Sequence, residues 1–238
     1  MALGTQGRPF AGTTLTQAQV DEGLRSYMLR VYNYMASGLA LTGVTAYVIA
    51  NTGLFNVLYG SGLGFVVMLA PLGIVFFMGI KIQTMKHTTA QWLFWAFSIL
   101  MGASLSYIFM AYTATSIVRV FFITMGMFGA MSIYGYTTKR SLVSWGSFLF
   151  MGLIGVIIAM VVNIFLQSEM LHFVISVIGV LVFLGLTAYD TQKIKDVYRE
   201  TDGQAVMVKK SVMGALSLYL NFINLFILLL HLFGAARE

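Results

Sequence analysis

Seven mostly apolar stretches, each near the length of a membrane crossing, constrain this chain more than any other feature. They run about Tyr34–Ala50, Leu63–Ile80, Trp92–Tyr112, Val118–Tyr136, Trp145–Leu166, Leu171–Asp190 and Ser211–Phe233. A helix needs about 20 such residues to cross the hydrocarbon core of a bilayer. The runs lack the period-two alternation of a barrel wall. In lipid, every backbone polar group must find its partner within the protein, which leaves helices. The expected fold is all-α: a polytopic membrane protein of seven transmembrane helices, antiparallel in succession because the loops are short. Composition points the same way, with 59% hydrophobic and only 9% charged residues. A soluble domain is about one quarter charged. A chain this poor in charge has the lipid bilayer as its main partner.

The basic residues give the orientation. All 14 lysines and arginines except Arg119 and Arg237 fall on one side of a seven-span arrangement. The positive-inside rule then places the N-terminus in the cytoplasm and the C-terminus outside. Trp92 and Trp145 stand at span edges, as an aromatic belt requires. Two parts are expected. Residues 1–32 form a cytoplasmic tail and an interfacial helix, and residues 33–234 form the seven-helix domain. The segment to about Leu15 is polar and lacks the apolar stretch of a cleaved signal. From Thr16, a helix cap, Val20, Leu24, Met28 and Val31 recur at helical spacing. That pattern fits a helix lying in the membrane interface, or a plain extension of the first span.

Other chemistries find little support. The formal charge of +6 is scattered over loops and explained by topology, so no nucleic-acid partner is expected. With no cysteine, there is no disulfide or thiolate metal site. His87, His172 and His231 fall in separate segments without a paired metal motif. Ser147 follows Gly146 but lacks the other marks of a nucleophile, so no enzyme, cofactor or bound metal is expected. The pairs Gly102/Ser106, Gly126/Ala130 and Gly155/Ala159 have the spacing that lets helices approach closely in lipid.

The last two runs carry polar groups where they are costly. Such groups in a membrane segment mark ion paths, proton relays or gates. Asp190 ends the sixth run, while Asn221 and Asn224 lie three apart in the seventh. If the sixth helix continues by a turn or two, Asp190 lies below the membrane surface, and a bend or shift of the helices brings it level with Asn221. The alternative is an interfacial aspartate paired with Lys193 or Lys195.

The segments VDEGLRSYMLRVYNYMASGLALTG, YDTQKIK and GALSLYLNFINLFILLLHLFG closely resemble the Bax inhibitor-1 family of membrane proteins, in its bacterial branch. The resemblance runs from about Val20 to Gly234. It implies a central, apolar seventh helix wrapped by the other six, in the bacterial cytoplasmic (inner) membrane. It also implies a pH-sensitive calcium-leak channel, in which two aspartates of the sixth and seventh helices share a proton. Asp190 matches the first. The second is expected in the pattern LYLDFIN, but Leu218 to Asn224 reads LYLNFIN, so Asn221 takes its place. The family's latching arginine of the second helix has no counterpart: that region offers Lys81 and Lys86, and lysine is no planar, bidentate substitute.

Close carboxylates titrate as a unit, and Asp beside Asn loses that repulsion. The expectation is therefore a pH-modulated calcium (cation) channel with weakened pH dependence. Its gating and pH-sensing residues are Asp190 and Asn221, with Asn224, Lys193 and Lys195 in support. Two other readings accompany it: a regulator of a membrane-bound ATP-dependent protease or of a stress or cell-death response, and a proton-coupled transporter.

Overall fold

The computed structural model of the chain describes residues 17–237. The polar tail read for residues 1–15 and the cap at Thr16 lie outside the described residues. The helices are α1 (Gln17–Ala50), α2 (Leu54–Gly60), α3 (Gly64–Lys81), α4 (His87–Leu105) and α5 (Ile108–Ala111), followed by α6 (Ala114–Thr137), α7 (Val143–Leu166), α8 (Glu169–Asp196) and α9 (Gln204–Phe233). The described residues form no extended strand. Six of these helical segments are each long and apolar enough to cross a membrane: α3, α4 continued through α5, α6, α7, α8 and α9. The seventh candidate is α1 taken together with α2, beyond a bend of 87°.

Local chemistry sets several boundaries. The Thr113 side chain accepts a bond from the Ser116 N–H at the start of α6, and Ser168 does the same for Leu171 at the start of α8. Such caps satisfy donors that a helix start leaves unpaired. Between α7 and α8, Gln167 takes a left-handed φ of 49° and ends α7. The third apolar run is interrupted: Ser106 turns its hydroxyl onto the Ala103 carbonyl at 2.7 Å, and α4 gives way to the short α5.

The last helix is the centre. In its apolar window 72% of residues are buried, against 11% for α7 and 17% for α3. α8, α1, α6 and α4 pack on α9, while α3 rests chiefly on α4 and α7 on α8. The central position expected for the seventh helix holds, but its direct wall is four helices, with two more outside.

α1 runs unbroken through residues 32 and 33. Tyr27, Met28 and Val31 are buried, and the Tyr27 ring lies 5.6 Å from that of Tyr198 just beyond α8. Of the two readings of this segment, an interfacial helix or a plain extension of the first span, the described residues show a continuous helix packed on protein.

Most of the basic residues in the described segment gather at one end of the bundle. There the Lys209 ammonium reaches the Gln83 carbonyl at 3.1 Å, Lys195 reaches the Tyr136 carbonyl at 2.8 Å, and Lys210 pairs with Asp202. At the opposite end, Gly234–Arg237 is stitched to the α5–α6 turn. The Thr113 N–H donates to the Ala235 carbonyl at 3.1 Å, and the Arg237 N–H to the Ala111 carbonyl at 2.9 Å.

Candidate functional site

α8 does not stop at Asp190 but continues for six residues, to Asp196. The carboxylate is thereby set within the bundle, half-buried on the side that faces α9. Two neutral donors meet it. Ser217 donates its hydroxyl to Asp190 Oδ2 at 2.6 Å, and Asn221 donates its amide to the same oxygen at 2.8 Å. Serine and asparagine stand four apart on α9 and so share one face. Asp190 Oδ1 accepts no hydrogen bond from the described residues.

The other expected supporting residues make no hydrogen bond to Asp190 among the described residues. The Asn224 amide donates to the Leu220 carbonyl of its own helix at 2.8 Å. Lys195 closes the end of α6 through Tyr136. Lys193 is exposed, with its ammonium 5.9 Å from the centre of the Tyr189 ring, and its charge still acts on the Asp190 carboxylate. No salt bridge or hydrogen bond joins Asp190 to Lys193 or Lys195 among the described residues, so the alternative of a paired interfacial aspartate is met only by the through-space pull of Lys193. Lys81 and Lys86 border the α3–α4 turn at the basic end.

Next to Asp190 a second set of polar groups crosses the bundle. Thr191 is fully buried and lies 3.1 Å from the Ser132 hydroxyl on α6, which also bonds the Tyr32 hydroxyl on α1. Gln192 holds the α6–α7 turn from both sides: its amide donates to the Arg140 carbonyl at 2.9 Å, and its oxygen accepts from the Leu142 N–H at 2.7 Å. On the opposite side of α9, the buried Tyr219 hydroxyl bonds Thr42 at 2.6 Å. Sequence reasoning missed Ser217, Ser132 and Thr191. The available signal for Ser217 was its four-residue offset from Asn221.

Beyond Asn221, toward the far end, the buried residues of α9 are apolar: Phe222, Ile223, Leu225, Phe226 and Leu228 through Leu230. Among the described residues no group of three or more His, Asp or Glu side chains is placed to hold a metal ion. The arrangement is a single ionisable group under two neutral donors, with an apolar plug above it.

A family model described as Inhibitor of apoptosis-promoting Bax1 matches residues 24–238. An uncharacterised protein of Rickettsia prowazekii is 50% identical over 227 residues, covering 95% of this chain and 96% of that protein. The inner membrane protein YbhL of Escherichia coli K12 is 46% identical over 223 residues, covering 92% of this chain and 95% of its own length. An uncharacterised membrane protein of Streptococcus pyogenes serotype M1 is 37% identical over 219 residues, covering 91% and 95%.

Proposed function

Because this chain belongs to the Bax inhibitor-1 family of integral membrane proteins, we propose that it is a pH-modulated leak pathway for cations, calcium foremost, gated where α8 meets α9. The observation that carries the reading is the carboxylate of Asp190, half-buried between these helices and, among the described residues, hydrogen-bonded only to the neutral Ser217 and Asn221. Ionised, it attracts a cation at the entrance; protonated, it does not. Its second oxygen is left for a proton or an ion. Calcium prefers six to eight hard oxygens, so a lone carboxylate with amide, hydroxyl and carbonyl neighbours suits passage better than storage. The apolar plug above Asn221 makes the arrangement a closed one, and conduction then requires α9 to shift against α8.

The proposed location is a bacterial inner membrane, as printed for the Escherichia coli relative. The basic end faces the cytoplasm by the positive-inside rule, so the N-terminus is inside and the C-terminus outside. We assign the chain no enzymatic reaction.

The test is calcium-dye flux into liposomes holding the purified full-length protein, beside a variant lacking residues 1–15. A leak pathway raises flux above empty liposomes in both. If neither conducts while both are folded, the leak reading fails. Regulation of a membrane protease would then be tested through the first 15 residues.

A further inference from the structure

α6 and α7 both pack on α8 but hardly on each other, and the reason is written in glycines. At Gly135 of α6, a Cβ would lie 2.3 Å from the Ala188 carbonyl oxygen; at Gly146 of α7, one would lie 2.6 Å from the Tyr189 ring. On α8 itself, a Cβ at Gly185 would lie 2.5 Å from the Leu149 side chain of α7. The two helices are drawn onto the same wall. The Gln192 side chain fixes the turn between them to α8. A slot of about 710 Å³ remains, with α8 as its floor and α6 and α7 as its sides.

The slot is apolar along Leu181 and Leu184. At the basic end it carries Arg140, with Tyr134, Trp145 and Tyr189 about the mouth. Arg140 is exposed and has no ion-pair partner among the described residues. Lys193 stands over the Tyr189 ring and adds a second positive charge. The lining on α8 runs from Ile178 to Tyr189, about 16 Å of helix at 1.5 Å per residue. That is half of the ~30 Å hydrocarbon core, or one leaflet. A partner transmembrane helix would need the full depth; a single acyl chain needs half of it. Guanidinium groups bind phosphate through paired hydrogen bonds, and Trp and Tyr settle at headgroup level.

We propose that this slot is a binding site for one anionic phospholipid of the leaflet at the basic end. An acyl chain lies along Leu181 and Leu184, and the phosphate is held by Arg140. The slot opens between α6 and α7 rather than toward α9 and shares only the charge of Lys193 with the Asp190 contact, and its test does not depend on ion flux.

The full-length protein is reconstituted in bilayer discs of phosphatidylcholine with increasing phosphatidylglycerol, released gently and weighed by native mass spectrometry. The wild type is expected to retain one phosphatidylglycerol in preference to phosphatidylcholine. Arg140→Gln should reduce that preference at least about tenfold, the weight of roughly 1.4 kcal/mol. Leu181→Trp, which fills the slot from an exposed position, should abolish retention of both lipids. Lys86→Gln, at the other basic turn, should change nothing. Circular dichroism checks that each variant is folded, and Arg140→Lys, which keeps the charge, should restore part of the preference if Arg140→Gln loses it. Retention unchanged in Arg140→Gln, retention unchanged in Leu181→Trp, or an equal loss in Lys86→Gln would each overturn the proposal.

Discussion

Asp190 is hydrogen-bonded by donors that carry no charge, and this decides how the site responds to substitution. Ser217→Ala removes one of two bonds to a carboxylate, a loss of about 1.5–3 kcal/mol for a charged acceptor. The expected outcome is a lower thermal midpoint in detergent at neutral pH, with most of the loss absent from an Asp190→Asn background. Asn221→Asp would place two carboxylates against one Ser217 hydroxyl. Such a pair titrates as a unit, so flux should gain steeper pH dependence, with its midpoint moved by about 1 pH unit or more. An unchanged midpoint would refute the role given to Asn221. Asp190 and Asn221 were legible in the sequence because a carboxylate and an amide stand out against apolar neighbours. Ser217, Ser132 and Thr191 were not, because hydroxyls are common in membrane helices and satisfy themselves on the preceding turn. Only the register between α8, α9 and α6 singles them out.

At the scale of elements, the glycines separate contact from spacing. Gly102 is a true close approach, since a Cβ there would lie 2.6 Å from the Thr42 carbonyl oxygen of α1. Gly126 and Gly155, read from the same four-residue pattern, have nothing within 4 Å. A period places residues on a common face but does not say which face turns inward. Gly135→Leu should therefore force α6 off α8 and cost about 1–3 kcal/mol, whereas Gly155→Leu should leave the thermal midpoint nearly unchanged. Gln192→Leu should loosen the α6–α7 turn, read as faster amide exchange at Leu142 with little change at the start of α8. The apolar runs located α3, α6 and α7 well, since lipid demands long helices, but ended α8 six residues early and began α9 seven residues late. They concealed the break between α4 and α5 and the short α2. Tyr59 of α2 donates to the carbonyls of Ala103 and Ser104 at 3.2 and 3.1 Å, a tertiary contact that no local pattern announces.

For the molecule as a whole, the two ends of the bundle differ in kind. One collects most of the lysine and arginine; the other is closed by the C-terminal segment and by the His172 and His231 rings, whose centres are 4.7 Å apart. The chain has no cysteine of its own, so single introduced thiols report sidedness cleanly. Thr115→Cys should react with an impermeant maleimide in intact cells, and Thr84→Cys only after the membrane is opened. The opposite pattern would reverse the orientation and place Asp190 near the outer surface. The claim on which the account turns is that the Asp190 carboxylate governs a cation path along α9. Its most direct test is calcium flux into liposomes across roughly pH 5–8, where a buried carboxylate can titrate, comparing the wild type with Asp190→Asn. Flux through the wild type is expected to vary with pH, and flux through the folded variant to be altered and flat across the range. Equal flux with the same pH profile in both would contradict the claim.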